Sequence, residues 1–379
     1  MAGSQIDTTL PSLRLLFSVA LCALPACVAR QSAYQYNVTL LRRDSSPLVS
    51  HADNTSDFSF NFNPGYFAGP NGTDGLVVRV VECNADHHPC VNQSHPEWTN
   101  AGALVVVPAN LSATPPTAAR VTSATVTWGG APPPPHSDGP LWGAADPRLA
   151  FHNGTYFMTW DNCTQNCYPV RITQLSTSRD PFDPLGWTWH GPLVGGYNGG
   201  ASLLFQDAPP HLAFVSDSNT AGALLIATSE TGFEWNLTNQ TLMAGRPGYW
   251  DAPGVGAGPQ PQRLSTGDWL YVYNVDTGFP YHPNPIGRCA VGWAVLDGAD
   301  PTRVVARSDE PLMTAVLPWE ECPRQNYTCQ QTMVVWAEGL RPSQSSVATS
   351  AAGASDVFDL LYGGGDTDVG FAVIEVAWA

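Results

Sequence analysis

Four stretches of the chain place polar side chains beside turn-forming residues, where apolar strands are predicted to end. They are Asn61–Gly65 with Arg79 after it, Ala145–Leu149, Trp319–Cys322 with Glu338 after it, and Tyr362–Ala372. In the last stretch, three glycines let the backbone bend and approach a ligand closely, so Asp366 is predicted at a strand end and not within a sheet. Carboxyl groups presented in this way can hydrolyse a glycosidic bond with inversion, because one acid protonates the leaving oxygen and another activates water.

Each of these acids also has a second interpretation, as a turn residue or as the partner in a salt bridge. Their positions at several separate strand ends favour a shared pocket instead. Arg79 lies in an otherwise apolar strand, and burying an arginine is unfavourable unless it pairs with a carboxylate or a ligand. The arginine and the acids are therefore predicted to serve one polar site.

The elements that carry these residues are short strands. Apolar runs of about five residues recur between Gly, Pro, Asn and Asp, which indicates an all-β protein without a long amphipathic helix. The runs include Leu76–Val81, Ala103–Val107, Tyr156–Trp160, Ala223–Ala227, Trp269–Tyr273, Thr332–Trp336 and Val369–Val376. Two segments repeat one order, a strand, a Thr-Ser-acid turn and a Trp strand. Their serines, Ser178 and Ser229, are about 50 positions apart, which is the size of a propeller blade.

The composition limits the classes of partner. The chain has 379 residues, of which 43% are hydrophobic, enough for one large core. Its formal net charge is −16, and all 16 basic residues are arginine because the sequence contains no lysine. Nucleic acid and anionic membrane both require basic surface, so we exclude both as partners of the mature protein. A neutral sugar is unaffected by this charge.

The N-terminus has the features of a secretory signal peptide. Arg14 precedes the apolar run Leu15–Leu24, and small residues suited to cleavage follow at Cys27–Ala29 or Gln31–Ala33. The run is short for a membrane span, so an uncleaved anchor is the less favoured alternative. We expect a signal peptide over residues 1–29 and one mature domain over residues 34–379, secreted or in the lumen of the secretory pathway.

Two further features agree with export. Ten Asn-x-Ser/Thr sequons predict a eukaryotic glycoprotein, and they begin at Asn37, Asn54, Asn71, Asn92, Asn110, Asn153, Asn162, Asn236, Asn239 and Asn326. Three close pairs of cysteines indicate local disulfides and leave Cys289 over as a buried thiol. The pairs are Cys83 with Cys90, Cys163 with Cys167, and Cys322 with Cys329. Zinc held by Cys83, His87, His88 and Cys90 is the alternative, but their spacing matches no standard site.

Several motifs share their order with one enzyme family. Asn63-Pro64 with Arg79, Asp146-Pro147-Arg148, Gly256–Pro259, Asp268–Tyr273, Gly292–Ser308, Glu320 and the Asp366 stretch resemble the motifs of glycoside hydrolase family 130. The members of that family are mannoside phosphorylases and mannosidases built on a five-bladed β-propeller. The resemblance implies blades near residues 58–130, 140–195, 196–245, 246–315 and 328–379, with the proline tract Ala131–Pro140 crossing between the first two. The inner strands of such a ring point functional groups into one central pocket.

The resemblance also implies a role for each site residue. Asp146 is the expected catalytic acid, acting through a sugar hydroxyl. Glu320 stands where the family has a glutamate and is the expected base, with Glu321 and Glu338 as alternatives. The expected substrate ligands are Asn63, Arg79, Arg148 and Asp366. The implied chemistry requires no metal and no organic cofactor.

Departures from the family pattern bear on the reaction. Ala145 stands where an acidic residue usually precedes the catalytic aspartate. Ser216 and Asp217 follow the strand His211–Val215 where phosphorylases carry a basic residue, and Asn274 stands in place of a histidine. A phosphate dianion in a pocket needs cationic donors. We therefore expect phosphate-independent hydrolysis of β-mannosides in oligosaccharides or glycans, with phosphorolysis as the less favoured reaction.

Two other functions stay open. Asn63–Gly65, Arg179–Pro181 and Trp319–Pro323 faintly echo the motifs of invertase-like fructosidases, but those enzymes need a nucleophilic aspartate where this chain has Asn63. The other alternative is a secreted sugar-binding propeller without catalysis. The presence of Asp146, Glu320 and Asp366 favours an enzyme.

Overall fold

The computed structural model describes most of the predicted mature domain. The described residues are 34–53, 58–82, 102–122, 125–127, 129–131, 142–164, 171–195, 198–217, 222–276, 289–321, 333–344 and 354–379. The chain divides into two compact units, Met1–Gln31 and Ser32–Ala379, and every described residue lies in the second. The signal peptide and the Cys83–Cys90 zinc alternative lie outside the described residues. So do most of the proline tract, the sequons at Asn54, Asn92 and Asn326, and at least one member of each cysteine pair.

Strands dominate the described residues. In chain order they are β1 (Tyr36–Arg43), β2 (Phe58–Ala68), β3 (Asp74–Glu82), β4 (Gly102–Asn110), β5 (Thr117–Ala118), β6 (Val126–Thr127), β7 (Trp142–His152), β8 (Thr155–Thr164), β9 (Arg171–Ser178), β10 (Thr188–Pro192), β11 (Asn198–Leu204), β12 (His211–Asp217), β13 (Ala223–Ser229), β14 (Asn236–Ala244), β15 (Gln262–Arg263), β16 (Trp269–Asp276), β17 (Cys289–Leu296), β18 (Val304–Arg307), β19 (Met313–Thr314), β20 (Val335–Pro342), β21 (Ala354–Gly364) and β22 (Asp368–Trp378). A short 3-10 helix covers His51–Asp53, and one turn of helix, α1 (Pro318–Glu321), precedes β20.

These strands form five antiparallel sheets, one for each blade of a five-bladed β-propeller. The sheet orders are β2-β3-β4-β5 with β6 beside β4, β7-β8-β9-β10, β11-β12-β13-β14, β15-β16-β17-β18 with β19 beside β17, and β20-β21-β22-β1. Strands β2, β7, β11 and β20 contact one another between sheets and line the centre of the ring. The predicted all-β class and the predicted five-bladed propeller are confirmed.

The last blade is completed by the first strand of the domain. Strand β1 pairs antiparallel with β22, from Tyr36 opposite Trp378 to Arg43 opposite Ala372. The sequence prediction began the first blade at residue 58 and gave no blade to β1, which was wrong. The strand escaped notice because most of its residues are half-buried or exposed, so it lacks an apolar run.

The hydrophobic core lies between neighbouring blades. One cluster joins Val78 and Val105 of the first blade to Phe371 and Val373 of the fifth. The other large clusters join the first blade to the second, the second to the third, the third to the fourth and the fourth to the fifth. Because apolar burial is the main favourable term in folding, these interfaces hold the ring closed.

The repeated turn predicted from Ser178 and Ser229 is present. Each serine ends the third strand of its blade, and its side-chain oxygen accepts a backbone N–H, from Asp180 at 3.1 Å and from Gly232 at 2.8 Å. No helix among the described residues is long and apolar enough to cross a membrane.

One strand boundary differs from the prediction in a way that matters for the site. The sequence placed a strand at Thr332–Trp336 with Glu338 after it, whereas β20 runs from Val335 to Pro342 and contains Glu338. The polar glutamate and Gly339 interrupt the apolar run, so the sequence pattern ended the strand too early.

Candidate active site

Backbone bulges in the innermost strands position the site residues. The register shifts between Phe62 and Pro64 on β2, between Ala145 and Arg148 on β7, and between Ala337 and Gly339 on β20. The residues inside these bulges include Asn63, Asp146 and Glu338. A bulge bends its strand and re-aims the side chain. Each of these three blades therefore presents one polar group that a regular strand would direct elsewhere.

Two of the bulged residues adopt the left-handed conformation. The φ angle is 51° at Asn63 and 53° at Asp146. Asn and Asp enter this region more readily than other residues with a Cβ atom. Each is followed by proline, so Asn-Pro and Asp-Pro mark the two bulges in the sequence.

The Asp146 carboxylate is the centre of the polar network. Its Oδ1 accepts hydrogen bonds from Asn63 Nδ2 at 2.8 Å and from Arg79 Nη1 at 3.0 Å. Its Oδ2 accepts one from Arg171 Nη2 at 2.8 Å. Only 1% of the Asp146 surface is exposed. The predicted pairing of Arg79 with a carboxylate, and the predicted convergence of Asn63 and Asp146, are both present.

Arg148 connects Asp146 to Glu338. Its Nη1 donates to the backbone carbonyl of Asp146 at 2.8 Å, and its Nη2 lies 2.8 Å from Glu338 Oε1. Its Nε donates to the carbonyl of Gly258 at 3.0 Å. On β11, Gly200 leaves room for this guanidinium, because a Cβ atom there would lie 2.8 Å from Arg148 Nη1. The expected ligand Arg148 is thus a buried cross-link between blades.

The three carboxyl groups at the centre have pKa values moved in different directions. Burial raises the pKa of Asp146, but the guanidinium groups of Arg171, Arg79 and Arg148 outweigh burial and hold it well below its usual range. Burial raises the pKa of Asp161 on β8 to about 6, and burial also raises that of Glu338 well above its usual value. In the empty site, Asp146 therefore favours its ionised form, and Glu338 favours its protonated form more than a carboxyl group in water does. Carboxyl pairs held in opposite states are typical of acid–base sites.

Glu320 lies in a different environment. Its Oε2 is 2.6 Å from Arg43 Nη2 and accepts the N–H groups of Val316 and Leu317, while its Oε1 accepts the hydroxyl of Tyr362 at 2.7 Å. The side chain is fully buried. Among the described contacts of Glu320, none is with Asp146 or its partners. Its geometry is that of a structural clamp between α1, β1 and β21.

The other candidates for the base occupy contrasting positions. Glu321 is exposed at the end of α1. Glu338 shares Arg148 with Asp146, and its buried Oε2 has no hydrogen-bond partner among the described residues. The structure thus brings Glu338, and not Glu320 or Glu321, into the Asp146 network. The identity of the base stays a prediction.

Asp366 occupies the turn between β21 and β22, as its sequence pattern predicts. Its φ angle is 51°, and 9% of its surface is exposed. The glycines before it allow close approach to the protein itself: a Cβ atom at Gly363 would collide with Asn63, and one at Gly364 with the ring of Trp319. The glycine run therefore sets the hairpin against the β2 bulge.

Arg171 is a site residue that the sequence analysis missed. It opens β9 and is the most exposed of the three arginines, with 27% of its side chain accessible. A weak signal was available, because Arg171, like Arg79, is an arginine at a strand position. No motif marked it, and only the fold shows that β9 brings it beside Asp146.

Asn274 and Ser216 stand at positions where phosphorylases of the family carry phosphate-binding residues, and here both bond to the backbone of the protein. Asn274 is fully buried, and its Nδ2 donates to the carbonyls of Ala257 and Ala337, both at 2.9 Å. Its Oδ1 accepts the N–H of Ala337 at 2.8 Å. The Ser216 hydroxyl accepts the N–H of Ala257 at 2.8 Å. Both side chains fix the backbone between blades.

No cluster of three or more metal-ligating side chains occurs within the described ranges.

Comparisons with known proteins agree with this fold. No family model matches the chain. The 1,2-β-oligomannan phosphorylase of Thermoanaerobacter sp. (strain X514) is 26% identical over 238 residues, covering 62% of this chain and 69% of that protein. The β-1,2-mannobiose phosphorylase of the same organism is 25% identical over 236 residues, covering 62% and 67%.

Solved structures show the same propeller. A structure from the glycoside hydrolase family 130 of mannoside phosphorylases, which contains hydrolases that target β-1,2 mannosidic linkages in Candida mannan, has 19% identity and a TM-score of 0.64. It matches 88% of this chain and 92% of its own. The Listeria innocua β-1,2-mannobiose phosphorylase in complex with β-1,2-mannobiose has 18% identity and a TM-score of 0.62, covering 89% and 96%.

The fold and the site define a five-bladed propeller of the glycoside-active class. The resemblance to glycoside hydrolase family 130 predicted from the motifs is confirmed by both kinds of similarity. The two Thermoanaerobacter relatives found by sequence similarity are phosphorylases, whereas the sequence analysis predicted a hydrolase.

Proposed function

We propose that this protein is a secreted enzyme that hydrolyses β-mannosides with inversion and without phosphate. The mannoside substrate is supported by the two Thermoanaerobacter relatives, whose names specify β-1,2-linked mannose. A β-1,2 linkage is therefore the first to test. Export is supported by the apolar leader and the sequons.

The ion pairs in the site support hydrolysis by water over phosphorolysis. Arg79 and Arg171 bind the Asp146 carboxylate, and Arg148 binds Glu338. With Asp161 nearby, three guanidinium groups face three carboxyl groups. A phosphate dianion entering this site would meet ionised Asp146 and would have to compete for guanidinium groups that already have partners.

Hydrolysis assigns different tasks to the two connected carboxyl groups. Asp146 is the acid and Glu338 the base, so substrate binding must raise the pKa of Asp146 and lower that of Glu338 relative to the empty site. A sugar hydroxyl that takes the place of Arg171 at Asp146 Oδ2 removes the cation that most favours ionisation, and the pKa of Asp146 rises. Negative charge on Glu338 is then stabilised by Arg148 at 2.8 Å.

Release of mannose from β-1,2-mannobiose, with and without inorganic phosphate, tests the proposal. We expect free mannose at a rate that phosphate does not change. Asp146→Asn should lower turnover about 10²- to 10⁴-fold, the usual contribution of an acid catalyst, and should leave sugar binding measurable. Asp183→Asn, at an exposed position in the β9–β10 turn, is the matched control and should have unchanged turnover. Sugar binding without any product would assign the protein to the non-catalytic class.

Phosphorolysis is the second candidate, and one observation favours it. Arg171 is the partly exposed arginine of the network, and the named relatives are phosphorylases. An anion that separates Arg171 from Asp146 would gain a guanidinium ligand. Mannose 1-phosphate among the products, formed in proportion to added phosphate, would establish this reaction and refute hydrolysis by water.

A further inference from the structure

A cavity lies beside the ends of β7 and β8 that are opposite to the end near Asp146. Its volume is about 360 Å³, and it lies between the second and third blades. Its lining combines aromatic and carboxyl side chains, Phe157, Phe233, Asp207 and Glu230, with two imidazoles, His152 and His211. None of the arginines belongs to this lining. We call it the distal cavity.

The strand register shows that the distal cavity is remote from Asp146. Asp146 lies near the start of β7 and His152 at its end, opposite Thr155 of β8. At 3.3 Å per residue, the turn after His152 is roughly 20 Å along the strand from Asp146. His211 pairs with Ser229, which places the ends of β12 and β13 at this same side of the ring.

A sequon occupies the rim of the distal cavity. Asn153-Gly154-Thr155 forms the β7–β8 hairpin turn, with φ angles of 48° at Asn153 and 75° at Gly154. Asn153 is exposed, both it and Thr155 line the cavity, and its Nδ2 lies 2.8 Å from His152 Nε2. The acceptor nitrogen is therefore held at the cavity mouth by the turn that presents it.

We propose that Asn153 carries an N-linked glycan whose first sugar packs into the distal cavity. Attachment forms a bond between Nδ2 and the anomeric carbon of a lipid-linked oligosaccharide. The bond from that carbon to the lipid diphosphate breaks, the diphosphate leaves with its electron pair, and the amide gives up one proton. The donor and the transferase belong to the secretory pathway, so the proposal rests on the export part of the proposed function.

The lining suits a neutral sugar ring. Phe233 is 45% exposed, which leaves its ring available to the apolar face of a pyranose. Asp207 and Glu230 supply acceptors for sugar hydroxyl and amide N–H groups. A covalently tethered sugar also has a high effective concentration, so weak packing is enough to keep it in place.

Other sequons of the described residues provide internal comparisons. Asn71 lies in the β2–β3 turn at the same end of the ring and is exposed, but it does not line the distal cavity. Asn162 lies on β8 beside Asp161, is only half exposed, and its Oδ1 is buried. We expect glycans at Asn153 and Asn71 and none at Asn162.

Site-resolved mass spectrometry of the protein secreted from eukaryotic cells tests attachment, and native deglycosylation tests packing. A glycan in the cavity should be released by a peptide-N-glycosidase at least about tenfold more slowly from Asn153 than from Asn71, equivalent to a packing free energy of about 1.4 kcal/mol. Phe233→Leu keeps an apolar side chain but removes the flat ring, and should bring the two release rates together.

Each result has one meaning. An unmodified Asn153 beside a modified Asn71 overturns the proposal. Equal release rates in the wild-type protein overturn the packing of the sugar. Failure of the protein to reach the medium would refute export, whereas a secreted protein with no modified sequon would refute the proposal of attachment. In either case the mannose-release assay decides the enzymatic activity separately.

Discussion

Replacing Asp161 by asparagine should stabilise the protein at neutral pH. Asp161 is fully buried, and burial raises its pKa to about 6 from 3.8. Its Oδ1 accepts the hydroxyl of Thr173 at 3.0 Å, a hydrogen bond that an amide oxygen can also accept. The guanidinium of Arg171 is 3.9 Å from Oδ2, too far for a hydrogen bond. The protein contacts of the carboxylate thus offset only part of the free energy that it loses when it is removed from water.

The magnitude follows from the two pKa values. The folded pKa lies above the unfolded one, so the stability that the protonated acid contributes is fully present below pH 3.8 and is lost as the pH rises through about 6. At 1.36 kcal/mol per pKa unit, the loss is about 3 kcal/mol. Asparagine does not titrate. The variant should match the wild type near pH 4 and exceed its free energy of unfolding by up to about 3 kcal/mol at pH 7.

Urea unfolding followed by tryptophan fluorescence at pH 4, 5.5 and 7 measures this difference. Asp309→Asn is the matched control, because the Asp309 side chain is 80% exposed and its substitution should change stability by no more than about 0.5 kcal/mol at any of these pH values. A variant that is less stable than the wild type at pH 7 would refute the reasoning, since Asp161 would then be ionised and favourably paired with Arg171.

We also expect Asp161→Asn to lower turnover, because Arg171 loses one of its two carboxyl neighbours.

Three further predictions concern residues around the site. Asn274→Ala should lower the free energy of unfolding in urea by about 3 kcal/mol or more, because three buried backbone groups lose their hydrogen-bond partner. A decrease below about 1 kcal/mol would contradict a structural role for these three bonds. A hydrogen bond that the imidazole of His51 donates to the Asp368 carboxylate raises the pKa of His51, so this pair stabilises the fold fully below pH 6.5 and less as the pH rises further. His51→Gln should therefore lower the melting temperature more at pH 5.5 than at pH 8.5, and equal losses would show a neutral imidazole. Gly363→Ala should push Asn63 off its position and reduce kcat by about 100-fold, whereas unchanged kinetics would mean that Asn63 does not order the site.

Much of the fold could be predicted from the sequence because blades repeat a local pattern. Apolar strands of about five residues, separated by turn residues, indicated the all-β class, and the Ser178 and Ser229 turns indicated two copies of one unit. The family resemblance supplied the number of blades, which the five sheets confirm. Strand β1 could not be assigned in this way. Its place depends on pairing with β22 at the far end of the chain, and long-range pairing leaves no local pattern.

The sequence predicted those site residues that lie in recognisable motifs. Asn63 and Asp146 were found because they stand at predicted strand ends and in motifs that resemble those of the family, and Arg79 was found because a lone arginine in an apolar strand needs a partner. Arg171 was missed, since only the pairing of β9 with β8, which in turn pairs with β7, brings it to Asp146. Glu320 looked like a base because of its motif, but the sequence does not show that Arg43 and Tyr362 surround its carboxylate.

The pairing of β1 with β22 also sets the order in which the ring can form. Arg43 donates to the hydroxyl of Tyr362, a residue 319 positions later in the chain. During synthesis the first strand must therefore wait, unpaired, until nearly the whole domain has been made. Until then the growing chain exposes open strand edges at both ends of an incomplete ring, the feature that invites aggregation. Acidic charge and sugars attached early along the chain would keep such an intermediate soluble until the last blade receives its outer strand.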